Sequence, residues 1–258
     1  MNTASINENV WVMDKAFFIP QLNRYRRIWI YVPPEYGLSK KHFPVLYMHD
    51  GQNLFDDATA FSEEWCVDET LNASKEKCIV VGIDNGEANR INEYSVHDTE
   101  HGKGEGRLYL DFIVHTLKPY IDNSYRTLPD PAYTAIAGSS MGGLISFYAG
   151  LLFPKVFGSI GVLSPSFWLY PHIYDEATSL LQKHKVTFQR FYFYGGKQEG
   201  GDMVKGIKRM TSLMKAYPQL KIKQEINPEG VHSEIHWRDH FPAFYQWLIS
   251  GLKTKNKG

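Results

Sequence analysis

The residues that could do chemistry fall in three short stretches. Gly138-Ser139-Ser140-Met141-Gly142-Gly143 contains the pattern G-x-S-x-G, centred on Ser140. A serine hydroxyl is a weak nucleophile until a base takes its proton. This spacing suits a tight turn between a strand and a helix, which lifts the serine oxygen above a sheet. The helix that follows would aim its first N–H groups at developing negative charge. Ser139 competes for the role, but one position earlier it should point away from any pocket. The reading without chemistry is a glycine-rich turn.

A base is available in His232, at the end of Asn227-Pro228-Glu229-Gly230-Val231-His232. Its imidazole titrates near neutrality, so it can take a hydroxyl proton and return it to a leaving alkoxide. His232, His236 and His240 also recur at four-residue intervals, which could line one helix face and hold a metal. Zinc enzymes of that kind place a glutamate directly after the first histidine; here Glu234 stands two positions on, and no cysteine is near. The expectation is therefore no metal and no cofactor. Two carboxylates, Glu199 and Asp202, follow the apolar run Phe191–Tyr194. Either could orient the imidazole; Glu199 is favoured because it lies nearer the run, and a serine–histidine dyad is the alternative.

Acyl transfer also needs preset donors for the oxyanion. The amide of Met141 should supply one. The loop His49-Asp50-Gly51-Gln52-Asn53-Leu54 should supply the other through Gln52, with Asp50 beside the substrate. Trp65, Tyr94, Phe167 and Trp168 are the expected aromatic lining, for a sugar ring or a phenolic acyl group.

These residues need a scaffold. Arg26 to Val32 reads as a strand that stops at Pro33-Pro34. Further strands are expected at Val45–Met48, Cys78–Ile83, Tyr133–Ala137, Ser159–Leu163 and Phe191–Tyr194, whose continuous apolar character suits burial on both faces. Lys221 to Ile226 alternates like an edge strand. Helical patterns run through Leu108–Leu117, ending at Pro119, through the small residues of Ser140–Leu152, and through Phe241–Leu248. Such alternation predicts a mostly parallel sheet with helices on both faces, carrying its ligands at the carboxyl ends of the strands.

Length and composition agree with one domain over residues 1–258. Lysine plus arginine and aspartate plus glutamate are equal at 28 each, and no internal basic stripe could neutralise a nucleic-acid backbone. The basic tail Lys253–Lys257 reads as a solvated terminus. Two cysteines, Cys66 and Cys78, do not make a disulfide framework. Met1–Val10 lacks the pattern of an export signal, and no apolar run is long enough for a membrane span. The expectation is a cytoplasmic protein whose partner is a small-molecule ester.

Taken together, the stretches Arg27–Pro34, Tyr47–Asp56, Glu64–Glu69, Val81–Asn85, Gly138–Gly143 and Ser164–Trp168 resemble the putative-esterase branch of the α/β-hydrolases. That branch includes feruloyl and acetyl-xylan-type carbohydrate esterases and trilactone-siderophore esterases. The resemblance implies an α/β-hydrolase fold and a serine carboxylic-ester hydrolase working through an acyl-enzyme. It places the nucleophile on Ser140, the histidine on His232, and the acid on Glu199, with Gly196 as the turn glycine. A thioesterase or a non-catalytic binding protein of the same fold is the alternative.

Overall fold

The computed structural model describes residues 7–183 and 188–253; the basic tail at 254–257 and the start of the chain at 1–6 lie outside the described residues. Eight strands form one sheet: β1 (Val10–Ile19), β2 (Arg24–Tyr31), β3 (Val45–His49), β4 (Ile79–Ile83), β5 (Thr134–Ser139), β6 (Ser159–Leu163), β7 (Gln189–Gly196) and β8 (Leu220–Asn227). Their order is β1-β2-β4-β3-β5-β6-β7-β8. From β4 to β8 every pairing is parallel, while β2 pairs antiparallel with both β1 and β4, so β2 alone runs against the other described strands. The expected mostly parallel sheet is therefore present. β1, which had no clear sequence signal, is added at one edge.

Alternate residues of the central strands enter two cores. Tyr47, Val81, Ile136, Val162 and Phe193 face one side, with buried residues of α3 (Gly106–Phe112), α5 (Met141–Leu152), α6 (Ile173–Lys183) and α7 (Gly201–Met214). Met48, Val80, Ala137, Leu163 and Tyr194 face the other, with α1 (Val67–Ala73) and α8 (Glu234–Lys253). Burial on both faces explains why these strands read as unbroken apolar runs. Among the described residues, two short helices add to these, α2 (Arg90–Glu93) and α4 (Lys118–Ser124).

The helix expected to end at Pro119 does not end there. A π-helical turn at Ile113–Leu117 joins α3 to α4, and Pro119 sits in the first turn of α4. The widened turn makes room for a ring that would strike the carbonyl of an ordinary preceding turn.

The chain moves to opposite sides of β3 to form β4 and β5. The crevice above such a reversal in strand order is where open α/β sheets bind ligands. The turns after β3 and β5 meet there.

Candidate active site

Ser140 stands alone between β5 and α5, with φ 57° and ψ −120°. A non-glycine residue adopts positive φ only where its surroundings enforce it. Here the Ser140 N–H donates to the Leu163 carbonyl at 3.0 Å, while its own carbonyl accepts from Leu144 at 3.0 Å. A Cβ at position 138 would lie 2.8 Å from the Gly142 carbonyl carbon, and one at 143 would lie 2.6 Å from the Leu163 oxygen. Glycines 138 and 143 thus let helix and strands close around the turn. Gly142 is less confined, its nearest neighbour being Asp50 Oδ2 at 3.2 Å.

From the neighbouring strand ends come the base and the carboxylate. β7 and β8 stay in parallel register to Gly196 opposite Asn227. Beyond that pair the two chains touch backbone to backbone, with Gly196 against Gly230. His232 follows Gly230, and Glu199 follows Gly196. His232 Nε2 lies 2.9 Å from Ser140 Oγ, and His232 Nδ1 lies 2.7 Å from Glu199 Oε2. The Glu199 side chain is fully buried. Its other oxygen accepts from the Gly196 N–H at 2.5 Å and from the Ser164 hydroxyl at 2.8 Å. Ser164 in turn accepts from Trp237 Nε1–H at 2.9 Å. Trp237 also meets the His232 ring edge-on, with centroids 4.8 Å apart.

Asp202 lies apart from this chain of bonds. Its side chain is 93% exposed in the first turn of α7, and its ion-pair partner is Lys205 at 3.7 Å. The three histidines considered for a metal point to separate partners: His236 to Ser233 at 3.1 Å, and His240 to Tyr192 at 2.6 Å. Burial lowers the His240 pKa, which favours its neutral ring.

Across the crevice, the turn after β3 opens with Asp50 in the left-handed region at φ 54° and ψ 48°, a conformation costing about 1 kcal/mol for a residue with a side chain. Its carboxylate accepts from Arg90 Nε at 2.6 Å and Nη2 at 2.8 Å, and from Asn85 Nδ2 at 2.9 Å. Burial works against ionisation of Asp50, yet the Arg90 guanidinium and these bonds hold its pKa below the usual carboxylate value. Gly51 passes so near β4 that a Cβ would sit 2.7 Å from the Gly82 carbonyl carbon. Gln52, Ser140 and His232 then line a cleft of about 270 Å³ with Asp50, Asn53, Phe61, Asn85, Arg90, Glu234 and Trp237, and Ser139, expected to point away from any pocket, also borders it. Met141, next to Ser140, opens α5 with its amide in the first turn.

The aromatic lining differs from the expected one. Trp65 is buried against Trp237 and Phe241, Tyr94 is fully buried beneath Asp50, and Phe167 packs on Phe147. These three are core residues. Trp168 is 65% exposed and borders a separate hollow with Pro165, Tyr174 and Arg209. The rings that line the cleft are Phe61 and Trp237. Sequence reasoning missed Phe61, Asn85, Arg90, Ser164 and Trp237 as site residues. Only Ser164 carried a usable signal, as a polar residue directly after a strand.

A family model described as "Putative esterase" matches residues 19–254 of the chain. The "Uncharacterized protein YbbA" of Bacillus subtilis is 28% identical over 242 residues, covering 86% of this chain and 92% of that protein. The "Iron(III) enterobactin esterase" of Dickeya dadantii is 26% identical over 251 residues; the match covers 90% of this chain but 53% of that longer protein. Among solved structures, an IroE-like serine hydrolase from Shewanella oneidensis superposes with a TM-score of 0.72 at 22% identity, covering 91% of this chain and 77% of that one. At that identity the likeness is one of fold.

Proposed function

Because the chain belongs to the Putative esterase family, we propose that it hydrolyses carboxylic esters through an acyl-enzyme on Ser140. The observation that carries this reading is the unbroken chain of contacts from Ser140 Oγ to His232 at 2.9 Å and from His232 to Glu199 at 2.7 Å. His232 Nε2 takes the hydroxyl proton as Ser140 Oγ attacks the ester carbon. Glu199 accepts from Nδ1–H, fixes the tautomer that leaves Nε2 free, and stabilises the imidazolium that forms. The amides of Met141 and Gln52 hold the oxyanion. His232 then protonates the departing alkoxide, and a water, activated by the same ring, cleaves the acyl-enzyme.

The substrate class within this proposal is small acyl esters of acetyl or feruloyl type, including those on carbohydrates. A cleft of about 270 Å³ walled by Phe61 and Trp237 supports a compact acyl or ring group. A second reading, a siderophore lactone, draws support from the similarity to the Dickeya enterobactin esterase. One domain over the whole chain, cytoplasmic residence and the absence of a nucleic-acid partner also belong to the proposal. Balanced charge and two free cysteines support them. Among the described residues, no helix is long and apolar enough to cross a membrane.

The direct test is covalent. A fluorophosphonate should label the wild-type chain once, and Ser140→Ala should remove both the label and ester hydrolysis while the fold persists. An unlabelled but folded wild-type chain would favour the non-catalytic binding protein. Comparing acetyl, feruloyl, thioester and lactone substrates then separates the two substrate readings and the thioesterase alternative.

A further inference from the structure

The Arg90–Asp50 pair sits where the loop carrying Gln52 leaves β3, and its geometry is more specific than a buried ion pair needs. Asp50 is left-handed and only 7% exposed, and the following Gly51 is pressed against the backbone of β4. The Arg90 fork closes on both carboxylate oxygens, at 2.6 and 2.8 Å. A planar, two-pronged contact fixes direction as well as distance. Arg90 is itself held over the Tyr94 ring at 5.2 Å, and the Tyr94 hydroxyl accepts from the Asp50 N–H at 3.3 Å. Asn85 grips the same loop twice, through Asp50 Oδ1 and by donating its backbone N–H to Gln52 Oε1 at 3.1 Å. Thr59 donates to the Gln52 carbonyl at 2.8 Å.

The peptide unit between Gly51 and Gln52 is thus braced on both sides, and the strained residue before it is held by Arg90. We infer that Arg90 is a positioning residue for catalysis: through Asp50 it aims the Gln52 amide at the oxyanion. The inference rests on the proposed role of Gln52. A donor displaced by a fraction of an ångström still lets substrate bind but no longer matches the tetrahedral state. The loss therefore falls on turnover, with binding spared.

Arg90→Lys keeps the charge and loses the fork, and Asp50→Asn keeps the left-handed backbone and loses the charge. The test uses both variants in the full chain, with a chromogenic acetate ester as substrate and an aryl boronic acid as transition-state mimic. The expected result is a fall in kcat of about tenfold to a hundredfold, below the full loss of an oxyanion donor, with KM within about twofold. The boronate inhibition constant should rise by the same factor as kcat falls. Unchanged kcat in both folded variants, or a rise in KM alone, would overturn the inference while wild-type turnover left the esterase reading intact. A wild-type chain with neither turnover nor fluorophosphonate labelling would overturn both.

Discussion

Replacing Glu199 by glutamine changes one atom and should all but stop the reaction. Glu199 Oε1 receives two donors, the Gly196 N–H and the Ser164 hydroxyl. The Gly196 backbone N–H can only donate, so the atom at the Oε1 position must be an acceptor. In Glu199→Gln the amide oxygen must therefore take that position, which turns the NH2 group toward His232 Nδ1. Facing a donor, Nδ1 can only accept, so the ring proton moves to Nε2 and points at Ser140. The base is lost without any change in packing. A wrong-tautomer substitution of this kind lowers kcat by about 10⁴, or about 5.4 kcal/mol of barrier. Asp202→Asn, at an exposed side chain, should stay within about twofold of wild type. Steady-state hydrolysis of p-nitrophenyl acetate measures both, and imidazole nitrogen shifts report the tautomer. Glu199→Gln turnover within tenfold of wild type, or a crippled Asp202→Asn, would refute the assignment of the acid.

Gly196→Ala should lower kcat by at least about a hundredfold, because its methyl would occupy the backbone of Gly230 and part the loops bearing Glu199 and His232; an active, folded variant would show that this contact does not set their spacing. Stability should also depend on pH through His49. Burial brings its pKa from 6.5 down to about 3, so below about pH 6.5 the unfolded chain binds a proton that the folded chain refuses. Stability present above that value falls on acidification, by on the order of 2 kcal/mol at pH 5. Urea unfolding at pH 7 and pH 5 measures this, and His49→Asn should flatten the difference; an equal slope in the variant would assign the effect elsewhere.

Much of this was legible because the chemistry-bearing residues are close to strand ends that announce themselves. Continuous apolar runs marked β3 to β7, and Ser140 and Glu199 each follow one by a few residues, while His232 follows the alternating strand β8. The preference for Glu199 over Asp202 also came from distance along the chain, which in a parallel sheet tracks height above it. What stayed hidden depends on contacts across the sequence. Arg90 and Asn85 reach Asp50 from 40 and 35 residues away, and Ser164 joins Trp237 across 73. The aromatic lining misled because a ring in a strand-end loop looks the same in sequence whether it turns in, as Tyr94 does, or out, as Trp168 does. β1 escaped notice because bulges between Val12 and Phe17 break its alternation.

Those bulges have a counterpart at the opposite rim. β8 is the last strand on its side, and it presents Lys221 and Lys223 as exposed residues along an otherwise open ladder. One border of the sheet is thus kinked and the other is charged. Both devices are known to discourage the zipping of one molecule's sheet onto another's. A protein whose base hangs from its outermost strand gains from this, since a visiting strand at β8 would crowd the loop that holds His232.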